Sequence, residues 1–396
     1  MLQADSTLPF ACWPDMTHPL TDTAIQNLRS LIAFPTVSGT PNLVALHHIA
    51  TQLASTGASV EVIEDGTTGR GNLIAHFGAS RVGGLMLAGH IDVVPADEHE
   101  WDADPFQAQV SGDRIIGRGA ADMKGFLACV IALAGTFRVS GCPVTFVVTD
   151  DEERTFSGAR HLIGQLESQN IHPMLNVVGE PTLCRVAIAH PGFSDWATTF
   201  PGLEGHSGEV APEAGAIDAA LRFMSRLRAE AQAALDQAPR INFGQITGGT
   251  ARNVVAATCA LNWEARVATP GQSAWLSSWL DANADLYQSN VCVAQADSFA
   301  SQAGSELLDL CSSVSGSELI QVRYASEAGL YQSAGIPTIV MGPGDIAVAH
   351  RPGEFVETDQ ISRMLECLAR LLDSMNADPS LADHRDKLLS KVVRHD

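Results

Sequence analysis

The run Leu85-Met86-Leu87-Ala88, set between Gly84 and Gly89, carries no polar side chain. A strand that is apolar at both parities has no face to give to water, so it belongs in the middle of a sheet covered on both sides. Val144–Val148 reads as a second central strand, and Met174–Val178 as a further one. Between them Lys124–Phe137 and Ser157–Glu167 show helical spacing. Upstream, Thr23–Ala33 places Ile25, Leu28, Leu31 and Ile32 on one helical face, and Asn42–Ser55 does the same with Leu43, Leu46, Ile49 and Leu53. Ser59–Ile63 and Asn72–Phe77 are β-type runs. Repeated strand–helix–strand order predicts an α/β sandwich with helices on both faces.

The pattern changes after residue 188. Strand-like runs at Phe193–Phe200, Ile241–Ile246, Val254–Val267 and Val291–Ala296 alternate with helices at Ala214–Ala234 and Ser273–Leu286, which predicts an inserted α+β domain. Helices and strands of the first kind resume at Glu306–Cys311, Ala328–Ala334, Ile336–Met341 and Gln360–Met375. The expected division is 1–187, 188–298 and 299–396, the outer two parts forming one domain. The tail from Asn376 is more polar and is expected to attach loosely.

Lys+Arg total 24 against 45 Asp+Glu, and only Lys124, Lys387 and Lys391 are lysines. Nucleic acid and anionic membranes reward a positive surface, so neither is an expected partner. The balance suits a cationic ligand or bound metal cations. Eight cysteines, Cys12 among them, include no CxxC pair and are too few for a disulfide scaffold in a chain of 396 residues. No unbroken apolar stretch reaches membrane-spanning length, and no basic start followed by an apolar run is present. A cytoplasmic location is the expectation.

Chemistry-bearing groups gather at the ends of the expected strands. His90 and Asp92 follow the first central strand two residues apart, so an extended backbone points them the same way. An aspartate beside a histidine is a metal-site arrangement, or a chance loop neighbour. Gly117–Gly125 surrounds Asp122 with glycines before an apolar helix, where it bridges ions or merely caps the helix. Asp150-Asp151-Glu152-Glu153 ends the second central strand; four adjacent carboxylates call for neutralising cations or form a solvated turn. Glu180 follows the next strand, and His350 follows Ile336–Met341 in a Gly-Pro loop. Ligands bind outside the carboxyl ends of parallel strands. His90, Asp122, Glu153, Glu180 and His350 together form a nitrogen/oxygen donor set that suits two zinc-like ions about 3.5–4 Å apart. Glu152 stands beside them as a proton acceptor.

These blocks, above all Gly89–Phe106, Gly117–Phe126, Asp151–Glu153, Gly179–Thr182 and Gly342–His350, resemble the M20 metallopeptidase family of co-catalytic zinc amidohydrolases. The resemblance spans residues 20–375. It implies a zinc-exopeptidase-like α/β/α catalytic domain with an inserted lid or dimerisation domain. It also implies a homodimer and two zinc ions per subunit, with cobalt as a substitute. By that likeness His90 and Glu180 hold one ion, Glu153 and His350 the other, and Asp122 bridges them. Asp92 orients His90, and Glu152 is the general base that later protonates the leaving amine. Gly205-His206-Ser207 matches a family block, which implies that His206 stabilises the oxyanion. Gly249, Thr250 and Asn253 match a stretch that touches the substrate carboxylate. Glu327 and Gly344 lie in pocket-forming blocks.

Within the family the chain is most similar to the branch that deacetylates N2-acetyl-L-ornithine, on Phe34–Gly39, Asp122–Phe126, Ser326–Gly329 and Gly342–His350. The arginine typical of the desuccinylase branch is absent from Ala325–Leu330. The small-molecule substrate so implied is an N-acyl amino acid. Related deacylases, dipeptidases and a catalytically silent metal-binding module are the alternatives.

Overall fold

The computed structural model describes residues 13–377 and Leu381; Cys12, Lys387, Lys391 and the rest of the polar tail lie outside the described residues. The chain divides into two units. One holds the residues up to Ile188, Ala300–Val322 and those from Ser326 onward; the other holds Ala189–Phe299 and Arg323–Ala325.

The first unit opens with helices α1 (Trp13–Ile32) and α2 (Leu43–Ser55), then strands β1 (Ser59–Glu64), β2 (Gly71–Phe77) and β3 (Leu85–His90). Short strands β4 (Gln109–Ser111) and β5 (Arg114–Ile116) precede helix α3 (Gly125–Phe137), strand β6 (Val144–Thr149), helix α4 (Ser157–Ser168) and strand β7 (Leu175–Pro181). All side chains of β3, β6 and β7 are buried, as runs without a polar face require. β6, β3, β7 and a later strand lie side by side and parallel, while β1 and β2 extend the sheet antiparallel. β3 passes through α3 to β6 on one side; β6 passes through α4 to β7 on the other. Right-handed crossovers running in opposite directions put α3 and α4 on opposite faces. The expected sandwich is therefore present, on a mixed sheet with nine strands among the described residues.

Helix α3 is apolar all round because it is the central helix of its layer. Ala120–Phe137 has a mean hydropathy of 1.5, enough by length and composition to cross a membrane, but 83% of it is buried within the chain. It packs against α1 and α2.

Strand β8 (Ala187–His190) leads into the second unit, formed by β9 (Gly192–Pro201), β10 (Gly205–His206), α5 (Ala216–Ala234), β11 (Arg240–Gly248), β12 (Val254–Val255), β13 (Thr258–Val267), α6 (Pro270–Ala282) and β14 (Ser289–Ala296). Its antiparallel sheet has the order β11-β13-β9-β14. Cys259, Leu261, Trp263, Ala265 and Val267 alternate inward along β13, as period two demands. They meet α5 and α6 in a core rich in aromatic rings, with Phe223 edge-on to Phe200, Trp263 and Trp279. The expected single strand Val254–Val267 is broken in two. The carbonyls of Ala256 and Ala257 leave the ladder to accept the N–H groups of Ala216 (2.9 Å) and Gly202 (2.8 Å).

The chain returns through β15 (Phe299–Ala300), α7 (Ser305–Ser315), β16 (Ile320–Gln321), α8 (Ala328–Ser333), β17 (Thr338–Gly342), β18 (Phe355–Glu357) and α9 (Thr358–Ala377). β17 joins the main sheet parallel to β7, and α9 lays Ile361, Met364, Leu365, Leu368 and Leu372 into the core with α1 and α3. β18, β5 and β4 form a small separate sheet that the sequence pattern did not announce.

Candidate metal centre

His90 is the last residue of β3, Glu180 is the last but one of β7, and Glu153 sits in the turn after β6. His350 comes from the loop after β17, at φ +61°. Asp122 differs from the strand-end expectation. It lies in the kinked turn Ala120–Lys124 before α3, with φ −123° and ψ 94°, and the bond to Met123 is cis. That turn hangs over the ends of β3 and β7, because Gly89 and Gly179 let α3 approach closely: a Cβ on Gly179 would stand 2.0 Å from the Phe126 ring.

The five groups converge. Asp122 Oδ1 is 3.2 Å from His90 Nε2, and Asp122 Oδ2 is 3.2 Å from His350 Nε2. Glu153 Oε1 is 2.9 Å from His350 Nε2, and Glu180 Oε1 is 3.9 Å from His90 Nε2. Two triads result, His90/Asp122/Glu180 and Asp122/Glu153/His350, each with donor atoms within 4.8 Å of one another and both sharing Asp122. His90, Glu152 and Glu153 form a third close group.

His90 Nδ1 lies 2.8 Å from the backbone carbonyl of Asp92, which can only accept. The ring proton is therefore on Nδ1, and the Nε2 lone pair faces the carboxylates of Asp122 and Glu180. Lone pair against lone pair is tolerable only with a cation or a proton between them. Glu180 Oε1 is buried without a hydrogen-bond partner among the described residues. The imidazole-plus-carboxylate set, the facing lone pairs and the orphaned oxygen all fit divalent ions of the zinc kind.

The carboxylate of Asp92 stands 3.6 Å from His90 Nδ1, which the Asp92 carbonyl also holds at 2.8 Å. Its oxygens accept as well from Ser38 Oγ (2.7 Å), Glu152 N (3.1 Å) and Glu153 N (3.3 Å), so it also holds the turn carrying both glutamates.

Burial drives the electrostatics. It pushes the Glu152 carboxyl well above the usual range, helped by Glu180, Glu153 and Glu327. Glu180 and Glu153 are raised by burial first and by Asp122 next. Burial would lower His90, but Asp122, Asp92, Glu152 and Glu180 together raise it well above its ordinary value. His350 is lifted to about 10 by Asp122 and then Glu153. Burial works to raise Asp122, but its bonds to His350 and His90 hold it below the ordinary carboxylate value. The two imidazoles are raised by the carboxylates around them, so a positive charge is favoured at the centre of the cluster.

The other two members of the acidic run do not join it. Asp150 and Asp151 turn to Arg70, at 3.1 and 3.3 Å, and share its one guanidinium, while burial still lifts the Asp150 carboxyl to about 7. Glu327 is buried at the start of α8, its Oε2 lies 3.5 Å from the Tyr331 hydroxyl, and burial raises its carboxyl to about 7 against the pull of Thr149. Gly344 has φ +95°, and a Cβ there would meet Ala121 at 2.9 Å, so only glycine lets this loop lie against the Asp122 turn. His206, Gly249, Thr250 and Asn253 belong to the second unit. His206 is exposed, pairs with Val254 across β10 and β12, and its Nδ1 accepts from Gly208 N (3.1 Å). Asn253 O accepts from Ser207 N (3.1 Å), while Gly249 and Thr250 line a cleft of about 360 Å³ with Thr199 and Glu204.

Three contributors went unread in the sequence. Arg118 and Glu354 form a buried ion pair at 2.6 Å behind Asp122. Lys124 is fully buried and donates to the carbonyls of Leu31 (3.1 Å) and Phe34 (2.8 Å); burial lowers its ammonium to about 7. Arg118 and Lys124 sit inside a block already picked out by its glycines, which was the available signal.

The family model for peptidase family M20/M25/M40 matches residues 86–374. The chain belongs to this family. Proteins similar to it include the acetylornithine deacetylase of Pasteurella multocida, 31% identical over 374 residues, covering 88% of this chain and 97% of that protein. The acetylornithine deacetylase of Photorhabdus laumondii is likewise 31% identical, covering 88% and 96%. Among solved structures, the M20 metallo-carboxypeptidase Sso-CP2 of Sulfolobus solfataricus superposes with a TM-score of 0.73 at 15% identity, covering 89% of this chain and 99% of that one. The Bacillus subtilis YXEP protein, described as a dinuclear metal-binding M20 peptidase, gives 0.65 at 16% identity, covering 91% and 99%. As an M20/M25/M40 member with this donor set, the protein is a metal-dependent amidohydrolase.

Proposed function

We propose that the protein hydrolyses the amide of N2-acetyl-L-ornithine to L-ornithine and acetate, with two zinc ions per subunit for which cobalt can substitute. The observation that carries the reading is the pair of triads sharing Asp122, with Glu152 alongside. The ornithine assignment is supported by the names of relatives about 30% identical over most of the chain.

His90, Asp122 and Glu180 would hold one ion, and Asp122, Glu153 and His350 the other. Bound there, the ions would supply Lewis acidity toward the amide carbonyl and acidify water. Glu152 takes the proton of the attacking water and delivers it to the departing α-nitrogen. Burial and its carboxylate neighbours raise its proton affinity, so it can hold that proton between the two transfers. Asp92 keeps Glu152 in place through the Glu152 N–H. The buried Glu327 carboxyl is the group that would sense the substrate's side-chain ammonium.

A homodimer and a cytoplasmic location complete the proposal. The latter draws on Cys129, Cys184, Cys311 and Cys367, which are buried thiols.

The test is a substrate panel on zinc- or cobalt-loaded protein: N-acetylornithine, N-acetylnorleucine, N-acetylcitrulline, N-succinyl-diaminopimelate and dipeptides. N-acetylornithine is expected to show the highest kcat/KM. Glu152→Gln is expected to lower kcat by about 10²–10⁴-fold while keeping both ions. Turnover of dipeptides alone would reassign the substrate; no turnover of any member would refute the hydrolase.

A further inference from the structure

Glu354 is completely buried and follows His350 by four residues. Its Oε1 accepts from two backbone N–H groups, those of Ala121 (3.0 Å) and Asp122 (3.1 Å). Its Oε2 takes the guanidinium of Arg118 at 2.6 Å. Arg118 is buried in turn, reaches the Pro95 carbonyl at 3.4 Å, and lies 5.3 Å from the centre of the Trp101 ring. The backbone is tied at the same place, since Gly117 N donates to Glu354 O (2.9 Å) and Phe355 pairs with Ile116 across β18 and β5. The carboxylate thus fastens the loop carrying His350 to the one carrying Asp122, and Arg118 extends the tie to the loop after His90.

A buried ion pair gives little net stability, because desolvating both charges offsets most of their attraction. Its value lies in the geometry that it dictates. Here that geometry is the backbone of Asp122 itself, whose carboxylate must present one oxygen to each histidine. We propose that Glu354, braced by Arg118, is a positioning residue that sets the shared carboxylate Asp122 between His90 and His350. This rests on the metal-centre reading above, and adds to it a residue that touches neither ion nor substrate.

The apoproteins of wild type and Glu354→Gln are titrated with zinc against a chromophoric chelator. The variant keeps the side chain's shape but loses the charge shared by Arg118 and two N–H groups. It is expected to fold, to bind zinc about 10–100-fold more weakly, and to give an altered visible spectrum with cobalt. Its kcat falls while KM stays within about twofold. In the second variant, Arg118→Met/Glu354→Leu, both charges are replaced by apolar chains, a change that buried pairs often tolerate. It is expected to fold and still bind zinc weakly. Wild-type zinc affinity in either folded variant overturns the proposal. So does failure of both to fold, because the contact would then serve global stability. If the wild-type apoprotein takes up no divalent ion, the metal-centre reading itself fails, an outcome distinct from these.

Discussion

Asp150 and Glu152 show how differently near neighbours in one acidic run are used. Asp151 adopts φ +63°, a left-handed conformation that aspartate tolerates, and the chain reverses there. Asp150 and Asp151 face Arg70 and Asn42 on one side, while Glu152 and Glu153 face the histidines. The acidic run was legible in the sequence. Its division was not, because Arg70 is remote in the chain and nothing local marks it as a partner. The ordinary electrostatics of a single residue are also open to test at His190. Burial lowers its ring from 6.5 to about 4, only partly opposed by the Pro191 carbonyl. The folded protein thus excludes a proton that the unfolded chain binds. Stability from this source is complete above pH 6.5 and is lost as the pH falls toward 4. The slope is about 1.4 kcal/mol per pH unit and the total roughly 3 kcal/mol. Urea titrations from pH 4.5 to 7 should show a flatter profile for His190→Gln than for wild type; parallel profiles would refute this.

At the scale of elements, the positions of α3 and of the Asp122 turn depend on missing side chains. Gly179 lets the Phe126 ring lie against β7, and Gly342 meets the Gly179 carbonyl so closely that a Cβ would stand 2.0 Å from it. Gly179→Ala must displace that ring. It is expected to cost about 1–3 kcal/mol, seen as a lower Tm, and to reduce activity because Glu180 is the next residue. An unchanged Tm would show that α3 can yield. Strands β3 and β6 and helix α9 were legible because their apolar patterns have no other satisfying placement. Strands β4, β5 and β18 were not, being three residues each, too short to show an alternation. Their pairing is set by the loops they close, and it is this pairing that brings Glu354 behind Asp122.

For the molecule as a whole, the excess of 45 acidic over 24 basic residues acquires a local meaning at the centre. Removing bound cations should leave mutually repelling carboxylates in the buried cluster, so a chelator should lower Tm and abolish hydrolysis. Restoring zinc to a thousand times its Kd adds about 4 kcal/mol per site. Melting curves indifferent to both chelator and metal would contradict this. The first unit is also discontinuous in the chain: the insertion separates Glu180 from His350. During synthesis, the triad of His90, Asp122 and Glu180 is made well before His350 and Glu354. A nascent chain, or a fragment cut within the insertion and stripped of its C-terminal part, therefore carries every donor of one ion, but neither the second imidazole nor the carboxylate that sets Asp122.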